Sequence, residues 1–463
     1  MNQNLTHKPV VAVIGGGISG LSAAFWLLQN NIDAFVLEQT DRPGGVIKSE
    51  NIEGYLVDRA ANCLLNYLPE VNILCDTVGL REEQIYRSPT ARNRYLLKEG
   101  YPLPMPRGPI ELINTNLLSL KGKVRLFSEP LIPRARMEKE ETVSQFITRR
   151  LGREILEQVM EPFIGGTYAG DPGQLCLKST FPMLSALEER YGSLIMGALI
   201  RRLKGSRASN PMHLFSFRQG MEALPKAIRH YLGDRFIPYA RVNGVERTGD
   251  ISWQIMADQG GHSTVYHTDA VVIATPAIET ARLIYPIDPD TYEILKRIEY
   301  SPLAVVYTGF KREDIRHPLD GIGCMVPSKE GGSILGTLWN SALFSGRAPE
   351  ERVALTNYVG GKRHPEMVEK SDKELLDLTL PDLKNMLDIK RDPGFVSITR
   401  YNRAIPQYSI GHQNVLKRIE NMPDRIPGLY ITGNYLRGIS VRDCISYGAK
   451  LATRIAGDSM SLV

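Results

Sequence analysis

The sequence predicts an α/β fold in which one nucleotide-binding domain is interrupted by two insertions. A short apolar strand, Val10–Ile14, leads through a glycine-rich turn into an apolar helix that continues to Leu28, and a second strand follows at Asp33–Leu37. This order is the beginning of a β-α-β unit. Similar strands recur near residues 270–275 and 428–432, so the same domain is assembled from three separate pieces.

The composition excludes several classes of protein. At 463 residues, with 43% hydrophobic and 23% charged residues, the chain is long enough for two or three packed units and is typical of a globular protein. Its net charge of +5 is far too small for a nucleic-acid-binding protein. Five scattered cysteines without C-x-x-C spacing argue against a disulfide framework or a zinc site, and they favour a reducing, cytoplasmic location. We therefore expect no metal.

The first glycine-rich turn carries the pattern G-x-G-x-x-G between a strand and a helix. Glycine lets the backbone approach a pyrophosphate closely, and the N-terminus of the following helix attracts the phosphate charge. Glu38 ends the second strand, where its carboxylate can accept hydrogen bonds from both ribose hydroxyls and would repel a 2′-phosphate. The alternative is a glycine-rich turn without a ligand. The candidate nucleotide contacts are Gly15, Gly16, Gly17, Ile18, Ser19, Gly20, Glu38 and Gln39.

A second glycine motif, Arg42-Pro-Gly-Gly45, follows Glu38. On its own this motif predicts a Pro-Gly turn. With Glu38 upstream it resembles the second fingerprint of flavoproteins related to amine oxidases and phytoene desaturases, whose glycines let the chain pass beneath the flavin. The resemblance implies FAD as the cofactor. It adds Arg42, Gly44, Gly45 and Val46 to the candidate contacts.

Three further segments are similar to signature segments of the protoporphyrinogen oxidase family. They are residues 162–171, residues 405–408 with Gly411-His412, and residues 433–445. The resemblance spans nearly the whole chain. It implies oxidation of protoporphyrinogen IX, or of its tetracarboxylate relative coproporphyrinogen III, by FAD and dioxygen in heme biosynthesis. Six hydrogens leave the substrate, so a two-electron flavin needs three cycles.

The same resemblance defines the fold class and divides the chain into five pieces. A Rossmann-like FAD-binding domain of the glutathione-reductase type contains an inserted α+β substrate domain and a helical membrane- or substrate-binding insertion. The FAD-binding domain comprises residues 1–92, 211–285 and 411–463. The helical insertion comprises residues 93–210, and the α+β substrate domain comprises residues 286–410.

Further cofactor contacts are implied by the resemblance. The loop 58–61 should run along the cofactor, and a helix start after residue 433 should present backbone donors to the negatively charged edge of a reduced flavin. The family usually has Glu-x-Gly-Pro where this chain has Leu56-Val57-Asp58-Arg59, so Arg59 is a candidate for a phosphate or substrate contact that relatives lack. The implied contacts are Asp58, Arg59, Ala60, Ala61, Val242 on the adenine side, Gly433, Asn434, Gly438, Ile439, Ser440 and Val441.

A porphyrinogen is a large apolar ring with propionates on one side, so its pocket needs aliphatic walls and a few cationic anchors. By resemblance, Arg107 binds a propionate through paired hydrogen bonds, and the Gly166 carbonyl faces the ring N–H groups. From the sequence alone, Arg107 is equally an exposed loop arginine. No catalytic acid or base is assigned, because a lone histidine such as His412 is more often structural. The pocket walls implied by the family, which otherwise predict strand core, are Ile322, Met325, Leu335 and Leu338.

A basic stretch lies within the predicted helical insertion. Residues 107–207 contain 16 Lys and Arg against 11 Asp and Glu, which accounts for the whole net charge. A helical pattern over residues 185–204 ends in Arg201, Arg202 and Lys204, so this helix either packs on a core or rests on anionic lipid. Peripheral attachment to the cytoplasmic face of the inner membrane and a homodimer are both compatible with the sequence.

Two alternatives to a porphyrinogen oxidase stay open. An amine oxidase or carotenoid desaturase shares the N-terminal fingerprints, although it does not predict the segments near residues 405–412 and 433–445. A flavin-bearing binding protein without turnover would keep the same fold, and the altered loop at residues 56–59 leaves this alternative in place. Substrate-dependent peroxide formation distinguishes an enzyme from a binding protein.

Overall fold

The computed structural model describes residues 10–134, 140–203, 213–249 and 252–460, which form a mixed α/β fold. The strands are β1 (Val10–Ile14), β2 (Asp33–Leu37), β3 (Ser49–Ile52), β4 (Tyr55–Asp58), β5 (Leu64–Leu65), β6 (Gln84–Tyr86), β7 (Asn93–Lys98), β8 (Tyr101–Pro104), β9 (Leu214–Phe217), β10 (Phe236–Ile237), β11 (Ala240–Arg247), β12 (Trp253–Gln259), β13 (His262–Thr268), β14 (Ala270–Ile273), β15 (Tyr300–Lys311), β16 (Gly321–Met325), β17 (Ile334–Leu338), β18 (Arg352–Gly360), β19 (Phe395–Pro406) and β20 (Leu429–Ile431). The helices are α1 (Ile18–Gln29), α2 (Pro69–Thr77), α3 (Pro109–Asn114), α4 (Leu120–Phe127), α5 (Val143–Leu151), α6 (Arg153–Ile155), α7 (Glu161–Tyr168), α8 (Leu177–Thr180), α9 (Pro182–Tyr191), α10 (Leu194–Leu203), α11 (Ala223–Leu232), α12 (Ala277–Ile284), α13 (Pro289–Leu295), α14 (Asn340–Leu343), α15 (Asp372–Leu387), α16 (His412–Glu420), α17 (Met422–Arg425) and α18 (Val441–Met460).

A five-stranded parallel sheet in the order β10-β2-β1-β14-β20 forms the first unit. Strand β1 lies at its centre, with Val13 opposite Val36 on one side and Val272 on the other. Its strands are continuous apolar runs because both faces are covered, as is usual for parallel sheets. Helices α1 and α18 pack on one face, and the antiparallel strands β11-β12-β13 contribute to the core on the other. The three separate pieces predicted from the sequence therefore meet in one sheet.

A seven-stranded sheet in the order β19-β15-β18-β17-β16-β7-β8 forms the second unit. Its core includes Trp339, Phe310 and Leu387, the last from helix α15. Strands β7 and β8 join this sheet at its edge, because β7 pairs in parallel with β16. Residues 93–104 thus belong to the sheet of the proposed substrate domain, whereas the sequence placed them at the start of the helical insertion 93–210.

Helices α3 to α10 form the third unit, whose core includes Phe146, Ile147 and Ile164. Residues Val143–Leu151 form α5. The single helix predicted over residues 185–204 is wrong, since α9 ends and Gly192 takes a left-handed conformation (φ 72°) before α10 begins. Lys204 lies outside the described residues. None of the described helices combines the length and the apolar character that crossing a bilayer requires.

Candidate active site

The glycine-rich turn joins β1 to α1 and shows why its positions are glycine. Gly15 has φ 108°, and a Cβ atom on Gly20 would lie 2.0 Å from the carbonyl oxygen of Gly15. A Cβ on Gly20 would collide with the turn itself, and one on Gly15 would lie 3.0 Å from the carbonyl oxygen of Ala274. Ile18 is half-buried and Ser19 is buried, whereas Gly17, at the start of α1, has nothing within 4 Å of its Cβ position and faces open space. This is the side on which a phosphate can approach the backbone.

Glu38 lies beside this turn at the end of β2, and it is buried. Its carboxylate accepts a 2.7 Å hydrogen bond from the backbone N–H of Gly16 and a 2.9 Å bond from that of Thr40. A Cβ on Gly16 would lie 2.9 Å from the carboxylate, so glycine is required there too. Val242 of β11 packs in the same core cluster as the end of β2, while Gln39 is exposed. Glu38 thus lies beside the glycine turn, and its carbonyl accepts a 2.8 Å hydrogen bond from the N–H of Ala240, two residues before Val242.

The Arg42-Pro-Gly-Gly motif touches the first glycine turn directly. The N–H of Gly44 donates a 2.8 Å hydrogen bond to the carbonyl of Gly16, and a Cβ on Gly45 would lie 3.4 Å from the Cα of Gly17. Both glycines have positive φ angles, 106° and 59°. The Arg42 guanidinium donates to the carbonyls of its own loop, including that of Ile47 at 3.1 Å. Val46 is exposed. The two predicted fingerprints therefore form one continuous backbone surface.

The loop 58–61 follows β4 and is held by side chains from other elements. Asp58 is buried; it accepts hydrogen bonds from Ser49 Oγ (2.5 Å) and from the N–H of Met221 (2.9 Å), and it lies 3.8 Å from the buried guanidinium of Arg347. Burial raises the pKa of the Asp58 carboxyl, although Arg347 opposes that shift. Ala60 and Ala61 are half-buried.

Arg59 links the loop to the second sheet. Its guanidinium donates to Ser397 Oγ at 2.7 Å and Thr399 Oγ1 at 2.9 Å of β19, and it also pairs with Glu50 at 2.6 Å. Each of its three nitrogens therefore bonds a protein group. The phosphate or substrate contact suggested for the Arg59 side chain stays a prediction.

The C-terminal loop 433–440 ends at the start of α18. Gly438 has φ 104°, and a Cβ there would lie 2.5 Å from the side chain of Asp443. Ser440 Oγ donates to the Asp443 carboxylate at 2.5 Å, which fixes the first turn of the helix. Ile439 packs against the core of the helical unit, and Val441 packs against the core beside the parallel sheet. The loop therefore lies between the two units, with Gly433 and Asn434 half-buried at its start.

The three signature segments converge at this loop. The Tyr408 hydroxyl donates to the carbonyl of Asn434 at 2.5 Å and accepts a 2.9 Å hydrogen bond from the N–H of Gly438. The neighbouring Gln407 donates through Nε2 to the carbonyl of Tyr168 at 2.9 Å. Tyr168 of the first segment and Asn434 of the third are separated by more than 200 positions in the chain. The side chains of the adjacent residues Gln407 and Tyr408 thus join them.

His412 stacks on Tyr408, with ring centroids 4.4 Å apart. Its Nε2 donates to the carbonyl of Tyr435 at 2.8 Å, so the neutral ring carries its proton on Nε2. Burial lowers the pKa of His412. The residue is buried and faces the backbone of the loop, which is the structural role expected for a lone histidine.

The predicted pocket residues fall into two groups. Gly166 of α7 faces Met325 of β16, because a Cβ on Gly166 would lie 3.5 Å from Met325 Cγ. Leu335 of β17 packs beside the adjacent turn, in a cluster with Ala169. Ile322 and Leu338 pack instead with Leu343, Phe344 and Cys63. Met325 and Leu335 therefore lie against α7, the helix that contains Gly166. Ile322 and Leu338 lie toward the loop that follows residue 61.

Arg107 is exposed at the start of α3. Its side chain is 60% exposed and lies 3.6 Å from Glu111, its partner one helical turn away. A basic residue that the sequence did not single out is Arg94 of β7. Its neighbours in β7, Asn93 and Tyr95, pair with Gly321 and Cys324 of β16, so Arg94 lies beside the segment that carries Ile322. The pairing of β7 with β16, which creates this proximity, has no local signal in the sequence.

Comparisons with known proteins identify the family. Residues 18–456 match the flavin containing amine oxidoreductase family. The chain belongs to this family. Mitochondrial protoporphyrinogen oxidase of Nicotiana tabacum is 33% identical to the chain over 473 residues, covering 96% of this chain and 94% of that protein. Coproporphyrinogen III oxidase of Bacillus subtilis (strain 168) is 27% identical over 461 residues, covering 95% and 96%. The sequence resemblance to the protoporphyrinogen oxidase family is thereby confirmed.

Solved structures agree on the fold of this flavoprotein. A protein of Exiguobacterium sp. 255-15, whose assignment as a protoporphyrinogen oxidase is provisional, superposes with a TM-score of 0.79 at 23% identity, covering 97% of this chain and 98% of that one. Cyclohexylamine oxidase of Brevibacterium oxydans IH-35A gives a TM-score of 0.69 at 16% identity, covering 98% and 100%. The expectation of an FAD-dependent oxidoreductase is confirmed by the family match. Among the described residues, no group of three or more His, Cys, Asp or Glu is arranged to hold a metal ion.

The residues of the flavoprotein fit FAD. The open space at the Cβ position of Gly17 leaves room for a pyrophosphate to pass the N-terminus of α1. Three donors surround the Glu38 carboxylate, which has about four acceptor positions, so it retains capacity for a ribose hydroxyl. These groups would hold the adenosine and pyrophosphate parts of the cofactor, and the loop 433–440 would hold the flavin part.

Proposed function

We propose that the protein oxidises protoporphyrinogen IX to protoporphyrin IX with dioxygen and releases peroxide, in heme biosynthesis. The observation that carries the proposal is the junction at Gln407 and Tyr408, which connects the helix of Gly166 to the loop 433–440. The proposed cofactor loop and the proposed macrocycle pocket are thereby fixed relative to each other. The tobacco relative, named a protoporphyrinogen oxidase, supports the same reaction over 96% of the chain.

The residues of the chain would bind and orient the reactants. Bound FAD would accept two electrons in each of three cycles and pass them to dioxygen. Gly166 and Met325 would contact the apolar ring, and the Gly166 carbonyl would accept a hydrogen bond from a pyrrole N–H. The buried Tyr408 and His412 would keep the loop 433–440 in place without exchanging protons with the substrate. We assign no proton acceptor to the chain.

Two cations are candidates for the propionate anchor. Arg107 matches the family position, but its side chain is exposed beside Glu111. Arg94 is also exposed, but it precedes Tyr95, which pairs with Cys324 of β16, so it lies beside the strand that carries Ile322 and Met325. We favour Arg94 as the stronger anchor because it lies next to the proposed pocket walls, and we retain Arg107 as the second.

The second candidate substrate is coproporphyrinogen III. The bacterial relative from Bacillus subtilis, named a coproporphyrinogen III oxidase, covers 95% of the chain and supports this alternative. Coproporphyrinogen carries four carboxylates, so it needs more cationic partners than protoporphyrinogen does. The higher identity to the tobacco protein, 33% against 27%, makes protoporphyrinogen our first choice.

The experiment compares both substrates on the purified protein. A visible spectrum reports bound flavin, and porphyrin fluorescence and peroxide are followed in air with protoporphyrinogen IX and coproporphyrinogen III side by side. Faster oxidation of protoporphyrinogen, above autoxidation and with matching peroxide, supports the proposal. Faster oxidation of coproporphyrinogen selects the second substrate. Bound flavin with no rate above autoxidation contradicts the oxidase assignment.

We also propose the finer fold assignments: a Rossmann-like FAD-binding domain of the glutathione-reductase type, and a helical unit that rests on the cytoplasmic face of a membrane. Leu120, Val124 and Phe127 recur on one face of α4 and are 78%, 63% and 48% exposed. Leu131, 83% exposed, follows them, and basic side chains such as Lys121 accompany this face. An apolar face beside lysines is typical of a peripheral membrane contact. A homodimer is compatible with this arrangement.

A further inference from the structure

One short segment of the chain holds both ends of the signature helix α7. This segment, residues 361–363, follows directly after β18. At the C-terminal end of α7, the N–H of Lys362 donates a 2.8 Å hydrogen bond to the carbonyl of Ala169. At the N-terminal end, Arg363 Nη2 donates to Glu161 Oε1 at 2.7 Å. Consecutive residues thus set the position of the whole helix over the second sheet.

The Arg363–Glu161 pair is buried and has further partners. The side chains of Arg363 and Glu161 are only 13% and 19% exposed. Arg363 Nη2 also donates to the carbonyl of Val326 at 2.9 Å, and Glu161 Oε2 accepts a 2.9 Å bond from the N–H of Ser328. Val326 and Ser328 follow immediately after β16. The pair therefore connects the first turn of α7 to the end of the strand that carries Met325.

The guanidinium lies beside Gly165 of α7. A Cβ on Gly165 would lie 3.6 Å from Arg363 Nη2 and 3.9 Å from Leu335 Cδ2, while a Cβ on Gly166 would lie 3.5 Å from Met325 Cγ. A methyl group would therefore just fit at either position, so the glycine face of α7 packs closely over the guanidinium and the two pocket residues. A movement of Arg363 would change the separation between Gly166 and Met325.

We propose that Arg363 is a positioning residue that fixes α7 against the strands β16 and β17, so that Gly166 and Met325 together form one wall of the macrocycle pocket. It acts through Glu161 and Gly165 and does not touch the reacting atoms. A planar guanidinium that bonds both the Glu161 carboxylate and the Val326 carbonyl holds this arrangement better than a flexible ammonium does. The proposal rests on the proposed function, since it concerns the pocket for the same substrate.

The test uses the FAD-loaded enzyme with R363M, R363K, E161Q and the double variant E161Q/R363M. We expect R363M to raise KM for the porphyrinogen about 10-fold while kcat stays within about 3-fold, because binding geometry and not chemistry is disturbed. R363K should recover part of the loss. The double variant should be no worse than R363M, because both changes break the same pair. R316M is the matched control, since Arg316 is 75% exposed and pairs with Asp388 on the surface.

Binding of protoporphyrin IX, the proposed product, gives a readout that is independent of turnover. Quenching of the porphyrin fluorescence measures this binding. Weaker binding by R363M than by wild type supports the proposal. Equal KM and equal ring binding in wild type, R363M and R363K overturn it, even if the melting temperature falls. Should R363M not fold, R363K and E161Q decide the same question. Failure of the wild type to oxidise any porphyrinogen contradicts the proposed function alone, and ring binding then still decides the role of Arg363.

Discussion

The hydroxyl of Tyr408 accepts a 2.9 Å hydrogen bond from the backbone N–H of Gly438. The same hydroxyl donates to the carbonyl of Asn434, so one buried phenol spans the loop that is proposed to hold the flavin. Burial raises the pKa of Tyr408 well above its ordinary value, which keeps the phenol neutral and able to donate. The loop therefore depends on a side chain outside its own sequence.

The first prediction concerns Y408F. Loss of the hydroxyl leaves a backbone N–H and a carbonyl without their partner, which costs about 1–3 kcal/mol for each buried group. We expect a lower melting temperature and FAD binding weakened by about 10-fold, corresponding to about 1.4 kcal/mol. Thermal unfolding and titration of the apoprotein with FAD measure both effects. The control is Y430F, because Tyr430 is also buried but its hydroxyl donates to Asp458 instead. Equal FAD affinity in Y408F and Y430F contradicts the role of Tyr408.

Glu38 gives the second prediction. Its carboxylate receives three donors and is proposed to accept a further bond from the ribose. Hydrogen bonds to a charged group contribute about 1.5–3 kcal/mol, so E38A should weaken FAD binding by about 10- to 100-fold. E38Q should fall between wild type and E38A. The dissociation constant of FAD from flavin fluorescence is the measurement, and an E38A protein that retains FAD as tightly as wild type would contradict the assignment.

The third prediction is a pH dependence of stability caused by His412. Its pKa is lowered in the folded state by burial, from an ordinary value of 6.5. The unfolded chain therefore binds a proton below about pH 6.5 that the folded protein resists, so stability should fall as the pH decreases through that value. H412Q, whose amide can also donate, should remove this component. The measurement is the free energy of unfolding between pH 5 and pH 8 for both proteins. A change in the pH profile of kcat, rather than of stability, would instead indicate a chemical role.

The two candidate anchors give the fourth prediction. We expect R94M to raise KM for the porphyrinogen by about 10-fold or more, since the bound ring would bury the proposed arginine–propionate pair, and truncating one partner of a buried charged pair costs about 2–5 kcal/mol. R107M should change KM by less than about 2-fold, because Arg107 already pairs with Glu111 on the surface and a surface ion pair contributes about 0–1 kcal/mol. Steady-state kinetics on both variants measure the difference. A larger effect from R107M would restore Arg107 as the main anchor.

Local patterns in the sequence predicted several of the elements and both glycine motifs. The helix at Asp372–Leu387 carries such a local signal, because Ser371 and Glu374 form a capping box at its start. The turn at Gly15 and Gly20 follows equally from short-range steric limits. By contrast, the edge hairpin of β7 and β8 was missed, although Glu99 and Gly100 have the positive φ angles of a two-residue hairpin turn. Glu-Gly is a weaker signal of such a turn than Asn-Gly.

The rest of the site depends on contacts between distant residues. Arg59 meets Ser397 across 338 positions, and Arg363 meets Glu161 across 202. No periodicity in either segment indicates its partner, because each bond depends on how the second sheet packs against another unit of the fold. Arg59 illustrates the consequence: an arginine next to a cofactor loop suggests a phosphate contact, and nothing in its own segment indicates that its guanidinium also bonds Glu50 and β19.

The final prediction concerns the apolar face of α4 and the residues that hold it. Leu131 lies in the turn Glu129–Leu131, and Glu129 accepts hydrogen bonds from the N–H groups of Leu194 and Ile195 at the start of α10. The buried Arg150 pairs with Glu129. These bonds place the end of the α4 face beside α10, whose Leu199 and Leu203 are 47% and 76% exposed. Apolar side chains from both helices are therefore available to one lipid surface.

We expect L120D/V124D to reduce co-sedimentation with vesicles containing anionic lipid by about 10-fold or more, because two apolar side chains no longer enter the interface and two negative charges are added near anionic headgroups. V265D is the control, since Val265 is 43% exposed and lies on β13, outside the helical unit that contains α4. High salt should weaken wild-type binding, because basic residues such as Lys121 contribute to it. Equal vesicle binding by wild type and L120D/V124D would exclude this face as the membrane contact.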